Sequence, residues 1–133
     1  MAKKKYELTE GEWAIITAVW QNQPCAAPTV QEVLESKRGW SYSTVKTMMD
    51  RMVGKGLLKT KRIRNLILYR SAITKAEAQK AEIMRTVKKA FDGALTPMMQ
   101  FLIENNQMSP QQYAELERLI KNQKRRRKNV IKD

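Results

Sequence analysis

Four aliphatic hydroxyls and two cations fall within residues 41–51 of this chain: Ser41, Ser43, Thr44, Lys46, Thr47 and Arg51. Hydroxyls at such a density can bond phosphate oxygens or base edges. Lysine and arginine can reach guanine edges or phosphates. A little downstream, KTKRIRN adds Arg62 and Arg64. Binding to a polyanion is the chemistry these types support. Catalysis is not. The chain has no His, one Cys and five Gly, so His-based proton transfer, Cys-rich metal sites and a glycine-rich phosphate loop all lack their residues. No enzyme activity, no metal and no cofactor are expected.

Charge points the same way. The 133 residues carry 26 Lys+Arg against 13 Asp+Glu, a formal net charge of +13. Net charge speaks to partners and not to fold. Its placement is uneven. Residues 41–73 hold Lys46, Arg51, Lys55, Lys59, Lys61, Arg62, Arg64 and Arg70 against Asp50 alone. A second cluster, Lys121, Lys124, Arg125, Arg126, Arg127, Lys128 and Lys132, closes the chain, and Lys3 to Lys5 form a short basic arm at its start. No apolar run approaches the roughly 18 residues of a membrane span, and MAKKKYELTE lacks the apolar stretch of a signal peptide. A cytoplasmic protein without membrane insertion is expected. Cys25, between turn residues, reads as a small buried hydrophobe.

The elements that must hold the polar residues follow from caps and periodicity. Thr9 with Glu12 fits a capping box, flanked by Leu8 and Trp13 as a hydrophobic staple. Trp13, Ile16 and Trp20 continue it as a first helix over about 9–22. Thr29 with Glu32 repeats the capping pattern and predicts a short second helix near 28–36. Ser41 is a good N-cap for a third, roughly 42–54, with Gly56 as its stop signal. Val45, Met48, Met49, Met52 and Val53 form its inner side, a core stripe and not a ligand box. Ser43, Lys46, Thr47 and Asp50 form its outer side, with Thr44 and Arg51 at the edge. LLKTKRI and LILYRSAI then predict a two-stranded hairpin turning at Arg64-Asn65, where Asn tolerates positive φ. Beyond Thr74 and Glu77, a third capping box, the pattern is helical, with a break expected between Gly93 and Pro97 and a last helix opening at Ser109-Pro110.

The expected fold is therefore mainly α with a small β-hairpin. A winged helix-turn-helix domain covers 1–73, a helical domain 74–122, and a basic tail expected to be disordered 123–133. Helix, short helix, helix and basic hairpin is the winged-helix order. A DNA major groove admits one helix whose outer side is polar and small. The C-terminal helices carry apolar stripes with no evident partner, and a two-fold dimer would bury them. The residues expected at that interface are Val87, Phe91, Leu95, Met98, Leu102, Tyr113, Leu116 and Ile120.

Residues 7–58 resemble the family of penicillinase and methicillin-resistance repressors (BlaI/MecI/CopY). The carrying motifs are the opening L-T-x-x-E-W with Trp20 seven residues after Trp13, W-S-x-x-T-V-K-T from Trp40 to Thr47, and MVGKGLL. Tyr69, near the hairpin end, also fits, and a weaker similarity continues to about residue 121. The resemblance implies a homodimeric transcriptional repressor whose winged helix binds double-stranded, inverted-repeat operators and whose C-terminal helices pair. It places Ser41, Ser43, Thr44, Lys46 and Thr47 on the recognition helix, and Arg62 and Arg64 on the wing.

Departures from the family pattern are informative. Many members show W-S-P-K-T-I-R-T where this chain has Tyr42, Ser43 and Lys46, so its operator should differ. In the β-lactam branch a membrane metalloprotease sensor leads to cleavage at an Asn-Phe bond. No Asn-Phe pair exists here, and the nearest candidates are the bonds around Gln100, Phe101 and Leu102, which read more readily as dimer core. The paired C-terminal cysteines of the copper branch are missing. The expected function is a sequence-specific repressor, de-repressed through a membrane sensor protease. The alternative is a basic nucleic-acid binder without sequence preference, of architectural type. A ligand-responsive regulator with a small molecule among the dimer methionines is a further class, for which no polar anchor is evident.

Overall fold

A computed structural model describes residues 7–105 and 107–132; the basic arm Lys3 to Lys5 lies outside them. The element order is α1 (Glu10–Asn22), α2 (Ala27–Arg38), α3 (Tyr42–Gly54), β1 (Leu58–Ile63), β2 (Leu66–Ser71), α4 (Lys75–Ala90), α5 (Leu95–Glu104) and α6 (Pro110–Lys132). Among the described residues no helix is long and apolar enough to cross a membrane. The chain divides into two compact units, Met1–Arg85 and Thr86–Asp133.

In the first unit, three helices and a hairpin close around one core. Local chemistry sets the helix ends. The Glu12 amide donates to Thr9 Oγ1 at 3.2 Å and the Thr9 amide to Glu12 Oε1 at 2.9 Å, the capping box the sequence predicts. The Thr29–Glu32 box does not form. α2 starts earlier, with Ala26 at the N-cap and Pro28 in the first turn. Proline's fixed φ is already helical and its missing N–H is one of the unpaired groups there, so it opens the helix two residues ahead of Thr29. At the other end Gly39, at φ 65°, donates its amide to Glu35 O at 2.9 Å. A left-handed cap of this kind falls to glycine because it carries no Cβ.

The core is formed by Ile15, Ile16 and Val19 of α1, Val30 and Leu34 of α2, Val45, Met49 and Met52 of α3, and Leu57, Leu58 and Tyr69 of the hairpin region, all buried. α3 presents the expected inner stripe to it. A Cβ at Gly11 of α1 would stand 2.8 Å from the Met48 Cε of α3, the far end of a flexible side chain. Cys25 is buried, as expected, and burial pushes its thiol pKa up. Its backbone pairs with β2: the Cys25 amide donates to Tyr69 O at 3.0 Å and the Tyr69 amide to Cys25 O at 2.7 Å. The α1–α2 connection thus ties the hairpin to the helices, which an isolated two-stranded ribbon needs.

The strands are antiparallel, with register from Leu58 opposite Ser71 to Ile63 opposite Leu66. That leaves Arg64 and Asn65 as a two-residue turn. The positive φ, 57°, falls on Arg64 and not on Asn65. Tight hairpin turns take positive φ at their first central residue to match strand twist, and Arg64 holds that position. Arg62 Nε donates to its carbonyl at 3.1 Å.

The first unit reaches further than residue 73. Trp20 Nε1 donates to Ile73 O at 3.2 Å, and both Ile73 and Ala78 are buried in the core, so α4 starts inside this unit. The second unit is open. No residue of α5 is buried although most of LTPMMQFLIE is apolar. Asp92 and Gly93, both at positive φ, separate α4 from α5, while Pro97 lies in the first turn of α5. Ser109 and Gln112 cap α6 reciprocally, at 3.1 and 3.0 Å. α6 then runs on to Lys132, through the stretch expected to be disordered. That stretch has no Gly or Pro and is rich in Lys and Arg, which favour helix. Cations at a helix C-terminus also suit the macrodipole.

Candidate nucleic-acid interface

The polar residues singled out in the sequence lie together on α3 and its cap. Ser41 is the N-cap and accepts from the Thr44 amide at 3.3 Å. Its hydroxyl also bonds the Thr44 hydroxyl at 3.1 Å and lies 3.1 Å from that of Ser43. Three exposed hydroxyls therefore cluster at the positive end of the helix dipole, where an anion is favoured. Thr47 and Arg51 follow, both exposed, on the next turns. The buried Val45, Met49 and Met52 on the other side keep this row turned outward.

The hairpin splits its cations between two faces. Tyr69 and Leu58 point to the core, so the register puts Thr60 and Arg62 on the core-side face. Lys59, Lys61 and Arg70 share the opposite face with Ile63, Leu66 and Leu68, where a shallow hollow of about 460 Å³ opens beside Pro24. Arg64 occupies the turn. The two wing residues expected from the sequence thus sit at the tip and on the side nearer the helices. Lys61 lies on the other side.

Lys46 is held differently from what the sequence suggests. Its ammonium donates to Asp50 Oδ1 at 3.0 Å, to Asp50 Oδ2 at 2.9 Å and to the Tyr69 phenol oxygen at 2.8 Å. The phenol in turn donates to Asp50 Oδ1 at 2.8 Å. The ammonium also lies 5.6 Å from the centre of the Tyr69 ring. The bond Lys46 donates to Tyr69, and after it those it donates to Asp50, hold the Lys46 pKa above the ordinary lysine range. The Lys46 bond keeps the Asp50 carboxyl below its usual range. Burial, with Asp50 alongside, raises the Tyr69 phenol. The i,i+4 spacing of Lys46 and Asp50 was legible as a helical ion pair. Tyr69 as a third member was not, because 23 residues of chain separate it from Lys46.

A second ion pair steadies the base of α3. Lys55, at its C-cap, donates to Glu12 Oε2 at 2.6 Å. Glu12 is buried, 5% exposed, and so serves both the cap of α1 and the end of α3. Burial alone would raise its pKa, but the bonds from Lys55 and Thr9 outweigh that and the net shift is downward.

The residues expected at a dimer interface are mostly open in the single chain. Leu95, Tyr113 and Ile120 are exposed, and Phe91, Met98, Leu102 and Leu116 are half-buried. Val87 is already buried within its own chain, 3% exposed. Ile83, Met84, Phe101, Ile103 and Leu119 are exposed apolar residues outside the expected set. Gln100, Phe101 and Leu102 lie within α5, where the Phe101 carbonyl accepts from the Asn105 amide at 3.1 Å and its side-chain amide at 2.8 Å. Among the described residues no group of three or more His, Cys, Asp and Glu side chains could hold a metal ion.

Comparison with known proteins adds the following. The Penicillinase repressor family model matches residues 8–122. The methicillin resistance regulatory protein MecI of Mammaliicoccus sciuri is 22% identical over 120 residues, covering 90% of this chain and 98% of that protein. The penicillinase repressor of Bacillus licheniformis is 23% identical over 126 residues, covering 95% and 98%. A solution structure of the monomeric form of Bacillus licheniformis BlaI in complex with the blaP half-operator matches with a TM-score of 0.48. It is 21% identical and covers 53% of this chain and 87% of that one.

Proposed function

Since the chain belongs to the penicillinase repressor family, we propose that it is a DNA-binding transcriptional repressor that acts as a homodimer on an inverted-repeat operator. The observation that carries this reading is the exposed row Ser41, Ser43, Thr44, Thr47 and Arg51 on one helix beside a cationic hairpin, held there by a closed core. Helix α3 enters a major groove. The hydroxyls at its start bond phosphate, and Thr47, Arg51 and the Lys46–Asp50 pair face base edges. Arg62 and Arg64 grip the flanking backbone. Repression follows from occupying a promoter.

Pairing is supported by the open apolar faces of α5 and α6, which a second copy would cover. Two recognition helices would then lie about 34 Å apart, one DNA turn. De-repression by a membrane sensor protease rests on family membership. The candidate bonds around Gln100, Phe101 and Leu102 are helical, so cutting there needs α5 to open first.

The test is to select binding duplexes from a random pool with the purified chain and to footprint the winners. Dyad-symmetric sites with half-sites about one turn apart are expected. Recovery of unrelated sequences without symmetry favours a nucleic-acid binder without sequence preference.

A further inference from the structure

The Lys46 ammonium finds its partners inside the protein: both oxygens of Asp50 and the phenol oxygen of Tyr69. Building on the DNA-binding reading above, we propose that Tyr69 and Asp50 are positioning residues for Lys46. They hold its ammonium along the hairpin-side flank of α3, so that the Lys46–Asp50 pair takes part in choosing sequence and not in general attraction to phosphate.

Tyr69 is well placed for this. Its ring is 1% exposed, and its backbone is fixed on one edge by the two bonds to Cys25 and on the other by pairing opposite Thr60. The phenol oxygen therefore stands still and the lysine comes to it. The Asp50 side chain is 55% exposed on the same flank. Turning Lys46 out to a phosphate would break three bonds and leave the Asp50 carboxylate bare against the anionic backbone. Holding the pair together gives a neutral unit at mid-helix. Arg62 and Arg64, exposed on the hairpin, supply the charge that any duplex attracts.

The pair keeps one capacity that serves recognition. A carboxylate offers about four lone-pair sites, and three hydrogen bonds to Asp50 are present. What remains is an acceptor, and in the major groove the donors it fits are the exocyclic amino groups of cytosine and adenine. A selected operator should carry one of these bases opposite Asp50.

The experiment measures the salt dependence of binding to a random-sequence duplex, by fluorescence titration. In the otherwise unaltered chain, Lys46→Gln should leave the log–log slope almost unchanged. In the Asp50→Asn background Lys46 is freed, and adding Lys46→Gln should flatten the slope by about 0.9, one phosphate contact. Tyr69→Phe, which removes only the hydroxyl, should lower the ratio of selected-duplex to random-duplex affinity by about threefold or more. Lys46→Gln alone flattening the slope by about 0.9 would show an ordinary phosphate contact and overturn the proposal. An unchanged ratio in a folded Tyr69→Phe chain would overturn it too. Lys46 and Asp50 are not core residues, so that pair of variants decides the matter even if Tyr69→Phe folds poorly. Failure of the DNA-binding reading has a different signature: the unaltered chain shows no salt-dependent binding to any duplex.

Discussion

The two compact units of this chain stand in opposite relations to solvent. In the first, each of three helices and both strands contributes to one buried cluster, and the charged side chain it encloses, Glu12, is paired with Lys55. In the second, α5 has no buried residue, and Leu95, Phe101, Ile103, Tyr113, Leu119 and Ile120 are exposed. Both units are helical and similarly rich in Leu, Ile and Met. The difference is therefore not in composition but in whether apolar faces find each other within one chain. A unit that closes on itself can present polar groups rigidly. A unit that does not close leaves apolar faces that a second copy, as proposed above, would cover.

Substitutions should separate the two cases. The largest effect is expected from Leu102→Glu or Leu116→Glu, which place a charge in the face proposed for pairing. Light scattering should show monomers at concentrations where the unaltered chain is dimeric, and a persistent dimer would place the interface elsewhere. Next is a pair of truncations. Met49→Ala empties a fully buried site and should lower the unfolding free energy by about 2–5 kcal/mol. Leu119→Ala, at a position 62% exposed, should scarcely change the stability of the unpaired chain in thermal melts.

The Glu12–Lys55 pair gives a smaller, pH-dependent effect. The carboxyl is lowered in the folded state, so its contribution is fully present above the unfolded value of about 4.3 and is lost as pH falls through the folded value. Glu12→Gln should therefore lower the unfolding free energy at neutral pH by about 1–2 kcal/mol, and the gap should narrow as pH falls below the unfolded value. A gap independent of pH would contradict a contribution from the charge of the pair, since glutamine keeps the acceptor of the cap. The smallest effect is expected at the wing. Arg64→Ala should weaken duplex binding and flatten its salt slope by about 0.9 without touching the melt.

What could be read from the sequence was local. The capping boxes at Thr9, Thr74 and Ser109, the N-cap at Ser41 and the inner stripe of α3 each depend on residues within one or two turns, and all are present. The Thr29–Glu32 box obeyed the same rule and failed because Pro28 pre-empted it. The hairpin turns at Arg64-Asn65 as expected, but strand register decides which of the two adopts positive φ, and that is Arg64 and not Asn65. Contacts across the fold stayed hidden. Tyr69 reaching Lys46 and Asp50, and Lys55 reaching Glu12, require α3, the hairpin and α1 to be assembled first. The domain boundary belongs here as well. The cap at Thr74 marks where α4 starts, but the burial of Ala78 shows that its first turns still serve the first core.

The most direct measurement is a competition titration at one fixed salt concentration between a selected inverted-repeat duplex and a scrambled duplex of the same composition. A base-reading α3 on a paired molecule should hold the inverted repeat at least about 10³-fold more tightly. Equal affinity for the two would contradict it, leaving sequence-independent contacts to phosphate as the source of binding.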